Sequence, residues 1–296
     1  MSFSALGGPK ASRDRIGNAK SMVQAVQRYR PIQPALALGV LRHPSLSYRE
    51  ISPAPQLADV VHCFWTIGGE VPPLRPHHYR IVADGCVDLI VNCHRYEGLI
   101  VAGTNTHWSS TTLVGTVQLF GMRFLPAAIH RVLDFPSQDA AGVMAKADAV
   151  LGKPEQELGQ MLFEQASMSE RIRVAEAWLA KQIAARDVSV DTRILRALDL
   201  INSSRGALDI EHNDELYVSP RQLRRLFHRY VGVGPKQLAK VVRFQHSIAA
   251  MLRWSDARAV TVDGYYDQSH LIRDFNQMLG LPPGALFRNT PGPARQ

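Results

Sequence analysis

The chain has 296 residues, with 34 Lys and Arg against 26 Asp and Glu and a formal charge of +8. That length suffices for two domains, and the surplus of positive charge favours a polyanionic partner. No run approaches the ~20 apolar residues that cross a bilayer, and three cysteines do not make a disulfide framework, which points away from a membrane protein and towards a reducing, cytoplasmic setting.

Residues 1–44 mix Gly, Pro, Ser and Arg, and Pro31, Pro34 and Pro44 interrupt any helix. They read as a flexible arm without a signal-peptide core. From Tyr48 to Phe124 the pattern favours strands. Val60–Ile67, Val87–Cys93, Leu99–Ala102 and Leu113–Phe124 are rich in β-branched and aromatic residues. Gly68-Gly69, Asp84-Gly85 and Gly103 punctuate them as turns. Pro126 opens a predicted helix to Leu133, and further helices are expected over Glu155–Glu164 and Ser169–Ala184. Residues 45–186 therefore read as an α+β domain, a β-rich sheet or small barrel followed by helices.

Some residues of this region suggest chemistry. His62-Cys63 and Cys93-His94 raise a zinc site, but strand neighbours point to opposite faces, so each pair offers one ligand. Two ligands fall short of a structural zinc set, and Cys86, His77 or His78 would have to complete it; the expectation is core cysteines and no metal or other cofactor. Asp84, Asp88, His94 and His107 can be drawn as an acid–base set, yet no nucleophile elbow, phosphate loop or HExxH helix accompanies them. An alkyl-acceptor role has no motif around Cys63, Cys86 or Cys93. No catalytic residue is assigned. Phe64, Trp65, Trp108 and Phe124 are expected in the core rather than around a ligand.

After a polar break at Arg186–Asp191, residues 190–290 read as all-α. Thr192–Ser203 has an apolar stripe of Ile194, Leu195, Leu198 and Ile201. A short helix is expected over Leu208–Leu216. Ser219 caps the next helix, with Pro220 at its first position and Gln222 completing a capping box. A longer helix follows Pro235, then a short one near Ala257–Asp263, and Asp267 caps the last. Ser219–Leu238 and Asp267–Leu286 are two copies of one pattern, 48 positions apart. Leu223 matches Leu271, Arg225 matches Arg273, Phe227 matches Phe275, Gly232 matches Gly280, Pro235 matches Pro283 and Leu238 matches Leu286. Each copy is a capped helix that stops at a glycine and restarts after a proline. Two equivalent helices on a fixed spacer suit successive turns of a DNA major groove. Between Ser219 and Arg253 stand Arg221, Arg224, Arg225, Arg229, Lys236, Lys240, Arg243 and Arg253, with no Asp or Glu. That is the composition of a phosphate-facing surface.

Residues 192–288 resemble the AraC/XylS family of transcription regulators. The resemblance rests on Gly264-Tyr265-Tyr266-Asp267-Gln268-Ser269-His270-Leu271-Ile272-Arg273-Asp274-Phe275, on Ser219 to Phe227, on Val231-Gly232-Val233-Gly234-Pro235, and on Arg243-Phe244-Gln245. Tyr48 to Ile51, Val61 to Trp65, Asp84 to Ile90 and Gly121 to Phe124 resemble a sensor-type domain of unknown function found fused to such modules. This chain has Ala83 and Ala127 where that domain has Pro and Gly. It has Asn213 and Val260 where the helix-turn-helix motifs prefer a small residue, Tyr217 where they prefer Gly in the turn, and Asp263 where they prefer an apolar residue.

Leu223, Leu226 and Phe227 face the core in the first copy, which leaves Arg221, Arg224 and Arg225 outward. In the second, Gln268, Ser269, Ile272 and Arg273 face outward. The resemblance places base reading at these seven positions, and Arg on guanine or Gln on adenine is the chemistry they offer. Arg229, Lys236 and Lys240 are expected on phosphates. The expected protein is a DNA-binding transcription regulator whose first domain senses an effector or partner. Its partner is double-stranded DNA, with RNA polymerase and a small-molecule effector as further candidates, and with monomer and homodimer both open. The rivals are a weak or non-specific DNA binder with a degenerate first motif, and an enzyme or alkyl-acceptor activity in residues 45–186.

Overall fold

The computed structural model describes residues 29–33, 43–151, 154–186, 188–254 and 264–287. The described residues hold eight strands, seven of them ahead of the first helix: β1 (Leu46–Ile51), β2 (Val61–Val71), β3 (His77–Ile81), β4 (Val87–Asn92), β5 (Leu99–Ala102), β6 (Ser109–Leu113), β7 (Gly115–Phe124) and, after a short helix, β8 (Met144–Lys146). Six of them form an antiparallel sheet in the order β1-β2-β7-β4-β5-β8. β3 and β6 pair separately, with His77 opposite Leu113 and Ile81 opposite Ser109.

The near-continuous apolar runs of β2, β4 and β7 are explained by burial on both faces. Phe64, Leu89, Val91, Phe120 and Met122 fill one core. Cys63, Trp65, Ile67, Ile90 and Val117 fill another, which Tyr79 of β3 and Leu113 of β6 help to close. The helix expected from Pro126 is only a 3-10 turn, Ala128–Arg131. Its N-cap, Ala127, lies in the left-handed region at φ 65, the conformation that favours the glycine of the related domain.

The helices are α1 (Ser137–Ala140), α2 (Ala147–Val150), α3 (Pro154–Phe163), α4 (Met168–Ala185), α5 (Thr192–Ser203), α6 (Pro220–Tyr230), α7 (Pro235–Trp254) and α8 (Gln268–Met278). Their starts are written locally. Ser167 with Glu170 and Ser219 with Gln222 form capping boxes, and Asp191 and Asp267 accept from the first turns of α5 and α8. The helix expected over Leu208–Leu216 is instead two 3-10 turns, Ile210–His212 and Asp214–Leu216. Asn213 interrupts it, accepting a hydrogen bond from the Glu215 N–H at 2.9 Å as its side chain competes with the helix. Tyr217 ends this segment at φ 51 and ψ 36, so the turn does take the left-handed conformation. The helix expected near Ala257–Asp263, with Val260 and Asp263, lies outside the described residues.

The sheet half and the helical half share their apolar interior. Leu198, Ile201, Leu223, Phe227, Leu238 and Val242 join the same core as Phe64 and Phe120. A second cluster packs Val82 and Ala83, from the loop after β3, among Phe244, Ile248, Leu271 and Phe275. α7 is buried on opposite sides for this reason, and its Phe244 and Met251 extend the stripe the periodicity predicts.

Residues 29–33 correct the expectation of a flexible arm. Tyr29 donates its hydroxyl to the Asp84 carbonyl at 2.7 Å, Gln33 Nε2 donates to Asp84 Oδ2 at 2.7 Å, and the Ile32 N–H donates to Gln245 Oε1 at 2.7 Å. The segment satisfies polar groups that would otherwise be buried without partners. The other residues of 1–28 and 34–42 lie outside the described residues.

Candidate nucleic-acid interface

α6 turns Leu223, Leu226 and Phe227 inward and leaves Arg221, Gln222, Arg224 and Arg225 exposed. The basic surface is less uniform than its sequence. Glu211, from the preceding 3-10 turn, is buried and pairs with Arg224 at 3.0 Å and with Lys236 at 3.4 Å. Arg224, expected on a base, and Lys236, expected on a phosphate, therefore face an acid supplied from outside the acid-free stretch. Arg243 is a second correction. It points inward, pairs with buried Asp274 at 3.3 Å and lies 4.9 Å from the Tyr265 ring centre. No acidic group among the described residues pairs with Arg221, Arg225, Lys240 or Arg273. Lys240 is exposed, and exposed Arg229 lies over the Tyr230 ring at 5.4 Å.

α8 repeats the geometry. Asp267 Oδ1 accepts from the His270 N–H at 2.7 Å. Leu271, Phe275 and Met278 are buried, while Gln268, Ser269, Ile272 and Arg273 are exposed. Each helix ends alike. The Gly232 N–H reaches the Phe227 carbonyl at 3.0 Å, with φ 87, and the Gly280 N–H reaches the Phe275 carbonyl at 3.2 Å, with φ 75. These are left-handed glycine caps that satisfy the last carbonyls of the helix.

The sheet half touches both of these ends. A Cβ on Gly232 would stand 2.3 Å from the Ser137 carbonyl oxygen, and one on Gly280 would stand 2.5 Å from Arg80 Nη1 and 2.6 Å from the Trp108 ring. Ser137 Oγ donates to the Tyr230 carbonyl at 3.3 Å. Arg80 Nη1 donates to the Leu279 carbonyl at 2.8 Å, placing a cation at the negative end of α8. The Trp108 N–H donates to the Gln277 carbonyl at 3.1 Å. Trp108 is thus a half-exposed contact between the halves, whereas Phe64, Trp65 and Phe124 are core as expected. α7, between the two repeat helices, is held as well: Gln245 Nε2 donates to the Ala83 carbonyl at 2.7 Å.

Directly behind that contact lies a buried charge group. Arg123 pairs with Asp84 at 3.3 Å and with Asp88 at 3.2 Å, and Trp65 Nε1 donates to Asp88 at 2.8 Å. Burial pushes the Asp88 carboxyl up to about 6, against the opposing pull of Arg123. The carboxylates hold the guanidinium in its charged form despite burial. The acid–base set drawn from the sequence does not assemble, because Asp84 and Asp88 converge on Arg123 while His94 is exposed in the turn after Asn92 and His107 faces Gln277. Arg123 and Glu211 carried no individual signal in the sequence, since their partners come from distant segments.

The His62-Cys63 argument also changes. β2 bulges between Val61 and Cys63: Val61 opposes Phe124 and Cys63 opposes Arg123, so His62 is the extra residue. A bulge breaks the strict alternation of faces. The donor atoms of His62, Cys63 and Glu50 all lie within 4.8 Å of one another. Burial lowers the basicity of His62 and raises the Cys63 thiol well above its ordinary value.

Two family models match the chain: "Domain of unknown function (DUF6597)" over residues 49–144 and "Helix-turn-helix domain" over residues 214–289. No curated protein matches. Among solved structures, apo ToxT from Vibrio cholerae strain SCE256, in a lysine-to-alanine variant, is 11% identical with a TM-score of 0.37, covering 83% of this chain and 97% of that one. ToxT from Vibrio cholerae at 1.65 Å resolution is 13% identical with a TM-score of 0.36, covering 83% of this chain and 100% of that one. Among the described residues no helix is long and apolar enough to cross a membrane. The paired, glycine-capped helices and the matching helix-turn-helix model mark a DNA-binding transcription regulator, with a domain of unknown function ahead of its helix-turn-helix module.

Proposed function

We propose that the chain reads a specific DNA sequence with the N-terminal ends of α6 and α8 in successive major-groove turns. Arg221 and Arg225 lead in the first helix, and Arg224 joins them when DNA draws it from Glu211. Gln268, Ser269, Ile272 and Arg273 read in the second. Arg229, Lys236 and Lys240 hold phosphates and set register. The observation that carries this reading is the matched exposure of Arg225 and Arg273, each beside buried Leu and Phe neighbours in its own copy of the repeat.

Residues 45–186 receive the signal in this proposal, from a small-molecule effector or a partner. The contacts at Gly232, Gly280 and Gln245 support it, since they join the sheet half to both repeat helices and to the spacer between them. A signal acts only by binding two arrangements of these contacts with different affinity. Promoter-bound protein then meets RNA polymerase, as a monomer or a homodimer.

The test is a set of binding titrations on a DNA site selected by the intact protein and on its scrambled counterpart. Arg221→Ala and Arg225→Ala should each lose about 1–3 kcal/mol of discrimination. Lys240→Ala should weaken both DNAs alike. Equal losses on both DNAs for all three variants would refute the assignment, and a wild-type preference near one would make the protein a non-specific binder.

A further inference from the structure

We propose that Glu50, His62 and Cys63 form a binding site for a borderline first-row divalent cation, of which Zn²⁺ is the type. The donors are a carboxylate, an imidazole and a thiol, held within 4.8 Å of one another. Glu50 of β1 stands opposite Trp65 of β2, on the face that Cys63 shares two residues away. His62 joins them because the bulge makes it the unpaired residue between Val61 and Cys63. A regular strand would have sent it to the opposite face.

The donor chemistry selects the ion. Nitrogen, sulfur and oxygen together suit Zn²⁺ and its neighbours, whereas Mg²⁺ and Ca²⁺ demand oxygen alone. Metal–ligand distances of about 2.0–2.3 Å require donors that lie within 4.8 Å of one another to close by at most about 1 Å. The ends of Glu50 and His62 are exposed and half-buried, so they have room for that shift. Three protein ligands leave a fourth position. His62 lines a cleft of about 410 Å³, with Arg30, Ser52, Pro55 and Leu125 around it, which admits water or an exogenous ligand to that position.

Charge favours the same occupant. Arg123 is flanked by Asp84 and Asp88 and lies 3.7 Å from Glu50. Three carboxylates around one guanidinium leave an excess of negative charge that a divalent ion offsets. Coordination takes Cys63 as the thiolate, its proton passing to solvent.

The experiment uses the untagged full-length chain, stripped with chelator and titrated with Co²⁺ as an optical surrogate. One equivalent should produce a thiolate-to-cobalt charge-transfer absorption, which Zn²⁺ then abolishes by displacement. Cys63→Ser should remove the band, and Cys93→Ser should keep it. Because Cys63 is buried and its variant risks misfolding, His62→Ala and Glu50→Gln provide the second measurement. Each should weaken Co²⁺ binding at least about tenfold with an unchanged circular dichroism spectrum. The proposal is overturned if the wild-type chain gives no band at stoichiometric Co²⁺, if the band survives Cys63→Ser, or if both His62→Ala and Glu50→Gln bind as the wild type does.

Discussion

The contact between the sheet half and the end of α6 can be tested by comparing two glycines. Gly232 has φ 87, and an added Cβ would meet the Ser137 carbonyl oxygen at 2.3 Å, its carbon at 2.9 Å and Ala141 Cβ at 3.3 Å. Gly142 has φ 72 and nothing within 4 Å of such a Cβ. Alanine at either position pays the left-handed cost of about 1–2 kcal/mol. Both variants also lose unfolded-state freedom, worth about 0.4–1 kcal/mol in the stabilising direction, and that gain cancels in the comparison. Only Gly232→Ala must displace backbone of the sheet half, an overpacking of about 1–3 kcal/mol. Gly232→Ala should therefore unfold at lower urea than Gly142→Ala, by a margin equal to that packing cost. Urea titrations of both variants at one pH measure it, with the slope checked for constancy. If the two variants lose the same stability, α6 does not press on Ser137, and the account of how the halves are joined fails.

Tyr217→Gly should stabilise the chain by about 0.5–1 kcal/mol, since relief of the left-handed strain exceeds the entropy cost of glycine and the exposed ring loses little packing; an unchanged thermal midpoint would count against strain at φ 51. Glu211→Gln should free Arg224 and Lys236, raising DNA affinity at low salt and steepening the salt dependence by about one to two phosphate equivalents. An identical salt slope would mean that Glu211 does not compete with DNA for these cations. Asp88 has a folded-state pKa of about 6, above the ordinary value of about 3.9. Its contribution to stability is thus fully present below about pH 4 and is lost as pH rises through 6. Urea midpoints across pH 4–7 should fall less steeply in Asp88→Asn than in the wild type, and matching slopes would remove Asp88 as the source.

What was legible in the sequence is what neighbours along the chain decide. The Ser219–Gln222 capping box is a contact over three residues, and the α5 stripe is a period of one helix, so α5 runs over Thr192–Ser203 as predicted. The repeat located both glycine-capped helices, and the outward positions on α6 and α8 followed from their buried partners. β1, β3 and β6, within the strand-favouring region, and β8, beyond it, are not delimited by the sequence because their residues are mixed polar and apolar, as in Ser109–Leu113, and only pairing across the chain makes them strands. Face alternation argued against His62 and Cys63 acting together, and a single bulge reversed it.

The chain alone determined where helices begin and stop, which of their faces are apolar, and that the same device occurs twice. Tertiary structure alone decided that Glu211 shares the charge of two surface cations, that Arg243 turns inward to Asp274, and that Gly232 and Gly280 meet the sheet half. The physical reason is range. Caps and periodicities are satisfied within a few residues, whereas buried charges and close backbone approaches find their partners only after the chain has crossed itself.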